Sequence, residues 1–276
     1  MANTTTTTDR PDFKALTEAG RAVWSSGDFN AIARQVMAAA EDVVQAADPR
    51  PGQAVLDVAC GSGNAALVAA RRYCAVSGID IAPNLVERAR ARAAAEGVEV
   101  DFREGDAQAL PYPDAHFDVV VSVFGVMFAP DQARAASELR RVCRPGGRIA
   151  LANWMPEAFG ADFFGAHARH APPPPGTPSP LRWGTAEGLT ELVGSGVRDI
   201  ATRRRSIHAY YRSVEDGVEL FARCFGPTIR ALNVVGPDGA EALRRDIAAV
   251  FERYNRADDG TAVVETEYLR ATATRA

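Results

Sequence analysis

The sequence is poor in the patterns that mark several broad classes of protein. Its four cysteines, Cys60, Cys74, Cys143 and Cys224, stand far apart, with no Cys-x-x-Cys pair and no histidine cluster beside them. That spacing speaks against a zinc site and a disulfide framework, so no metal is expected and a reducing cytoplasm is the expected compartment. Long apolar runs are also missing. The longest without a charge, Val119 to Pro130, is bounded by Asp118 and Asp131, far short of the roughly 20 residues that cross a bilayer. Basic residues are in no excess: Lys and Arg number 31 against 35 Asp and Glu, a net charge of −4. A chain so charged has no general attraction to a phosphate backbone, and nucleic acid is an unexpected partner. The threonine-rich Met1–Asp12 lacks the apolar core of a signal peptide and reads as a frayed polar tail. No internal repeat is found.

What is present is the makings of a buried core. A chain of 276 residues, 47% of them hydrophobic, suits one large domain or a core with a lid. From about Asp12 to Ala47 the apolar residues, among them Phe29, Ile32, Val36 and Met37, fall at helical spacing. Four runs of strand composition follow, Ala54–Ala59, Ala75–Asp80, Val98–Arg103 and Phe117–Phe124, interleaved with helical segments, and a fifth at Gly147–Trp154. Strands alternating with helices predict a parallel α/β sheet. Pro83 opens one of these helices and Gly97 ends it; Asp131 opens another, which Pro145-Gly146-Gly147 stops. Beyond Trp154 the pattern reads as a helix over Glu157–His170, a stiff proline-rich spacer at Pro172–Pro180 and a helix over Gly184–Val193. A strand around Asp199–Tyr210, helices near Val214–Cys224 and Gly239–Arg253, and a last strand near Val263–Thr272 finish the chain. The implied division is a helical cap over 1–48, a cofactor-binding core over 49–155, a lid over 156–197 and a sheet-completing segment over 198–276.

Chemistry concentrates where the first strand runs into Ala59-Cys60-Gly61-Ser62-Gly63-Asn64 and then a helix. Glycines there let the backbone approach a ligand, and the helix amides face it. Two cofactor classes use this device, and Gly61-x-Gly63-x-x-Ala66 with Asp80 further on also satisfies the loose dinucleotide fingerprint. The surrounding charge discriminates between them. Asp57 lies four residues before the first glycine, and no Lys or Arg lies between Gln53 and Ala70. A pyrophosphate would meet a carboxylate, whereas a cofactor carrying an ammonium and a sulfonium is attracted by it. Asp80, ending the second strand, is placed for ribose hydroxyls in either class.

These residues resemble motif I of the class I S-adenosylmethionine-dependent methyltransferases, and the segment from about Pro51 to Trp154 is most similar to the branch of the ubiquinone and menaquinone methyltransferases. The resemblance implies a Rossmann-like, doubly wound, mostly parallel seven-stranded sheet of order 3-2-1-4-5-7-6, its last strand antiparallel, with a helical lid. It implies S-adenosylmethionine as cofactor, with S-adenosylhomocysteine as product. Asp57, Ala59, Cys60, Gly61, Ser62, Gly63 and Asn64 would hold the methionine and ribose part, and Asp80 the ribose, with Ile81 against the adenine. Gly105-Asp106-Ala107 resembles the element at the adenine edge, with Asp106 accepting from the exocyclic amine. Ser122, Val123 and Phe124 fall where the fourth strand ends beside the cofactor. Trp24 and Phe29 resemble a helix that closes over the methionine end.

Neither an Asn/Asp-Pro-Pro-aromatic signature nor a Pro-Cys pair of the nucleic-acid-methylating types occurs, which together with the acidic charge points to a small-molecule acceptor. Phe29, Met127, Phe128, Trp154, Phe163, Phe164 and Trp183 are candidates for an apolar acceptor pocket, although aromatic residues at such spacings also serve as core. His167 and His170 follow the fifth strand and are the candidates for a general base; at spacing three they are equally neighbours on one helix. Cys60 is read as packing, because Asp57 opposes a thiolate. Arg203-Arg204-Arg205 is read as guarding an edge strand. A nicotinamide-dependent oxidoreductase and a non-catalytic cofactor-binding module stand as alternatives, and a homodimer is one assembly the sequence leaves open.

Overall fold

The computed structural model describes residues 11–276; most of the polar N-terminal stretch lies outside them. Seven strands form one sheet of order β3-β2-β1-β4-β5-β7-β6. They are β1 (Ala54–Val58), β2 (Ala75–Asp80), β3 (Asp101–Glu104), β4 (Phe117–Val123), β5 (Cys143–Trp154), β6 (Val197–Tyr211) and β7 (Ala262–Arg275). The pairs among β1 to β5 are parallel, and β7 runs antiparallel between β5 and β6. This is the expected strand order. The described residues also form ten α-helices and three short 3-10 turns, the α-helices being α1 (Phe13–Trp24), α2 (Asn30–Ala33), α3 (Met37–Ala47), α4 (Asn64–Ala70), α5 (Pro83–Glu96), α6 (Gln132–Val142), α7 (Phe159–His170), α8 (Ala186–Val193), α9 (Val214–Cys224) and α10 (Gly226–Tyr254).

The strands alternate side chains between two apolar layers, as a sheet covered on both faces must. Val55, Val119, Val121, Ala150 and Ala152 face α3, α4 and α5. Leu56, Val58, Val120, Ile149 and Leu151 face α6, α8 and Trp183. A third cluster, rich in phenylalanine, joins α7, α9 and α10 to Ile32 of α2 and to the upper ends of β6 and β7. It forms a roof over the C-terminal ends of the central strands, where ligands bind in open α/β sheets.

Several boundaries differ from expectation. Strand β3 begins at Asp101 and not at Val98, which packs as a flank of the core. Helix starts with Gly226, well before Gly239, and continues across a break at Gly236, whose φ of 64° and following Pro237 interrupt it. The Gly236-Pro237 pair is a kink between two packed helical stretches. Strand β7 extends to Arg275, paired along nearly its whole length with β6 and over Tyr268–Thr274 with β5. On the edge strand β6, Arg204 pairs with Glu267 of β7 and Arg205 with Asp42 of α3.

Candidate active site

The loop Ala59–Gly63 carries the chain from β1 into α4 over a crowded floor. Gly63 has φ 86°, and a Cβ there would stand 2.8 Å from the Phe102 ring and 3.2 Å from Ala89 of α5. Gly125, after β4, comes so near Ala59 that a Cβ would lie 2.4 Å from its carbonyl oxygen. Ala59 and Phe124 both adopt positive φ, 53° and 55°, a conformation that costs non-glycine residues energy and is concentrated at functional sites. Ser122 locks this junction. Its hydroxyl donates to the Val58 carbonyl at 2.6 Å and accepts from the Val126 amide at 3.0 Å.

Three carboxylates stand at the ends of adjacent strands. Asp57 is 1% exposed, and its Oδ2 accepts from the Ala66 amide at 2.9 Å. Burial pushes its pKa up to about 7, opposed by the Ala66 amide and assisted by the Asp80 charge. Asp80 ties the loop to β2: Oδ2 accepts from the Gly61 amide at 2.8 Å and Oδ1 from the Ala82 amide at 2.9 Å. Burial raises its pKa as well. Asp106 accepts from the Gln108 side-chain amide, 3.0 Å from each oxygen. Gln108 in turn donates to Thr17 on α1 and accepts from the Asp131 amide. Burial and the two nearby carboxylates raise the Cys60 thiol, which agrees with a packing role.

All three carboxylates line one cleft, whose empty space, open mouth included, is about 1630 Å³. Beside them the wall holds Ala59, Cys60, Gly61, Ser62, Asn64, Ile81, Gly105, Ala107, Val123 and Phe124. Gly63 and Ser122 support this wall from behind and do not form it. The cleft continues into an aromatic chamber with Trp24, Phe29, Phe128, Trp154, Phe163 and Phe164 on its wall. Trp24 meets Phe128 at 4.9 Å and Phe29 edge-on at 5.7 Å. Phe124 and Trp154 stack at 3.6 Å with planes 2° apart.

Four candidates are not brought to the cleft. Met127 and Trp183 are fully buried in the layer on the opposite face of the sheet, against α6 and α8. The Nδ1 of His167 donates to the Phe163 carbonyl at 2.7 Å, which leaves Nε2 to accept from the Thr228 hydroxyl at 2.8 Å. Burial lowers its pKa, so this histidine is a neutral strut between α7 and α10. His170 contacts Asp246 at 2.9 Å on the outer side. Neither histidine lines the cleft.

Other contributors come from far along the chain. Arg92 of α5 reaches the Ser62 carbonyl and Asn64 Oδ1, each at 2.7 Å. The loop therefore has a cation behind it, despite having none within it. Its signal is positional: Arg92 follows buried Ala89 by three residues on the helix face that meets Gly63. Arg21 also lines the cleft and is paired with Glu104. Phe159, Tyr211, Phe221, Phe225 and Thr266 add to the chamber wall.

The fold is that of the class I methyltransferases, and residues 56–151 match the model of a methyltransferase domain. A protein of Mycobacterium tuberculosis H37Rv, Rv1405c, itself uncharacterised, is 38% identical over 263 residues, covering 94% of this chain and 95% of the relative. The demethylmenaquinone methyltransferase of Deinococcus radiodurans is 42% identical over 114 residues, 41% of this chain and 46% of that one. Among solved structures, Haemonchus contortus phosphoethanolamine N-methyltransferase 2 in complex with S-adenosyl-L-methionine superposes with a TM-score of 0.55 at 18% identity, covering 86% of this chain and 52% of that one. The chain belongs to one family with the mycobacterial protein, to which it is similar nearly end to end, and it carries a methyltransferase domain over residues 56–151; its similarity to the quinone-type enzyme covers 114 residues. No helix of the described residues is long and apolar enough to cross a membrane.

Proposed function

We propose that the chain transfers a methyl group from S-adenosylmethionine to a small-molecule acceptor. The observation that carries this reading is a single cleft lined both by Asp57, Asp80 and Asp106 and by many aromatic rings, Phe124 and Trp154 stacked among them. The cofactor supplies an electrophilic methyl on a cationic sulfur that is already a good leaving group. The residues present suit it. A Cβ at Gly61 would lie 3.9 Å from the Phe29 ring, so its absence keeps that part of the cleft clear. Asp57 favours an ammonium, Asp80 offers carboxylate lone pairs beyond its two amide bonds for ribose hydroxyls, and Asp106 an acceptor for the adenine amine. Ile81 and Leu85 supply apolar wall beside them.

The chamber side contributes position and dryness. Neither candidate histidine lines it, and holding acceptor and methyl near contact accounts for much of the rate in displacements of this kind. Excluding water strengthens the attraction between a cation and the polar groups around it. Calorimetry with S-adenosylhomocysteine and with NAD tests the cofactor: tight NAD binding with none of the homocysteine derivative would sink the reading. Radiolabelled methyl transfer over an acceptor panel tests activity, and silence across it despite cofactor binding would favour a non-catalytic module.

A further inference from the structure

The chamber half of the cleft has a wall without charge. Arg21, Asp57, Asp80 and Asp106 are the charged residues of the cleft among those described; the three carboxylates stand at or just beyond the ends of β1, β2 and β3, and Arg21 is paired with Glu104 next to Gly105. The chamber is built from rings, chiefly Trp24, Phe29, Phe128, Trp154, Phe164 and Phe225. Of its few polar side chains, Gln35 is committed: its amide nitrogen donates to the Tyr210 carbonyl at 2.9 Å, and its oxygen accepts from the Tyr210 amide at 3.2 Å. The Tyr211 phenol is held neutral by burial, which raises its pKa.

Thr266 stands apart from these. It lies on β7 opposite Ile207 of β6, is 5% exposed, and its hydroxyl is buried with no hydrogen-bond partner among the described residues. Two positions along the same face of the strand is Tyr268, whose ring meets Phe124 edge-on at 5.5 Å. Thr266 therefore lies on the strand face that meets Phe124, and both residues line the cleft. Buried hydroxyls are almost always paired, and one left unpaired on a cavity wall calls for a partner that comes from outside the chain. Pockets for small molecules have this composition: apolar walls fix the class of ligand, and a few polar groups fix its orientation.

We infer that Thr266 orients the acceptor through one hydrogen bond, and that the acceptor is an uncharged, mainly aromatic or hydrocarbon molecule carrying a hydroxyl or carbonyl oxygen. A charged acceptor would be buried among rings with no counter-ion, at a cost that a neutral one escapes. This inference rests on the methyltransferase reading for the word acceptor; the ligand class and the role of Thr266 rest on the wall alone.

The test is equilibrium dialysis of the full chain against three probes of matched shape, 2-naphthol, 2-methylnaphthalene and 2-naphthoate, with and without saturating S-adenosylhomocysteine. Thr266→Val keeps a β-branched side chain suited to a strand, and a thermal midpoint equal to or above that of the parent verifies its fold. The expected result is a loss on the order of five- to tenfold in affinity for 2-naphthol, the worth of one net hydrogen bond, with 2-methylnaphthalene unaffected. Thr266→Ser restores 2-naphthol, and 2-naphthoate binds at least about a hundredfold more weakly than 2-naphthol to the parent protein. The Thr266 assignment is overturned if Thr266→Val changes both neutral probes alike or neither, or if Tyr211→Phe produces the naphthol-specific loss in its place. The ligand class is overturned if neither neutral probe binds, or if the carboxylate binds as well as the alcohol. Failure of S-adenosylhomocysteine to bind, measured separately by calorimetry, would count against the cofactor reading and leave the probe results to stand without it.

Discussion

Asp57 is the residue whose substitution tests the site most directly, because its burial makes it costly in the free protein and valuable when a cation is bound. In the folded chain its pKa is about 7, whereas the ordinary value, which the unfolded chain approaches, is 3.8. As pH rises past about 4 the unfolded chain gives up this proton while the folded chain keeps it until about 7. Folding therefore loses stability across that window, and no further above it. At about 1.4 kcal/mol per pH unit the rise corresponds to about 4 kcal/mol. Asp57→Asn retains an oxygen to accept from the Ala66 amide and removes the ionisation. Its stability relative to the parent, from urea unfolding of the cofactor-free protein, should thus climb from pH 4 to pH 8 by an amount of that order. Calorimetry with S-adenosylhomocysteine should move the other way. Parent affinity rises about tenfold between pH 6 and pH 8 as the carboxylate forms, and the variant shows neither the rise nor the parent's affinity at pH 8. A stability gap that stays constant from pH 4 to pH 8 would refute the argument that desolvation dominates at Asp57.

The other predictions probe separate parts of the cleft and its supports. Asp80→Ala removes the acceptors that hold Gly61 and Ala82 along with the offered ribose contacts, and should weaken S-adenosylhomocysteine by roughly 1–3 kcal/mol; unchanged affinity in calorimetry would remove Asp80 from the site. Gly63→Ala forces a side chain into positive φ against Phe102, and should lower stability by about 2 kcal/mol or more in denaturant titrations. His170→Ala, acting on the outer contact with Asp246, should leave the turnover number of an identified methyl-transfer reaction within about twofold, and a hundredfold fall would restore it as a base candidate. Arg92→Met removes the support behind Ser62 and Asn64. It should raise amide exchange in the loop and weaken cofactor binding by roughly 1–2 kcal/mol, which a hydrogen-exchange comparison would detect.

Legibility in the sequence followed locality. Strands β1, β2, β4 and β5 were readable because each is a short run of apolar residues bounded by turn signals, and the glycine loop because its residues are contiguous. The charge argument at Asp57 was local too, and incomplete for that reason: Arg92 arrives through the packing of α5 onto the loop, which no neighbouring residue announces. The first half of α10 was missed since Gly236-Pro237 reads as a boundary, although Pro227 two residues after Phe225 is a helix-start signal. Trp183 and Met127 show the limit of counting aromatic and apolar residues near a strand end. Which face of the sheet a side chain takes is set by the path of the connection, and theirs leads to the opposite layer. Thr266 had no signal of its own, because a strand threonine is unexceptional until its hydroxyl is seen to lack a partner.

Strand β7 also has a consequence for how the site comes into being. It is the last strand in the chain, yet it lies inside the sheet, and β6 pairs with nothing in the sheet except β7. A chain emerging from the ribosome can therefore assemble the carboxylate end of the cleft from β1 to β4 while β6 still waits for a neighbour. The chamber wall at Val264 and Thr266 arrives only with that final insertion, so the residues of the carboxylate end are made well before the cleft can close on its far side.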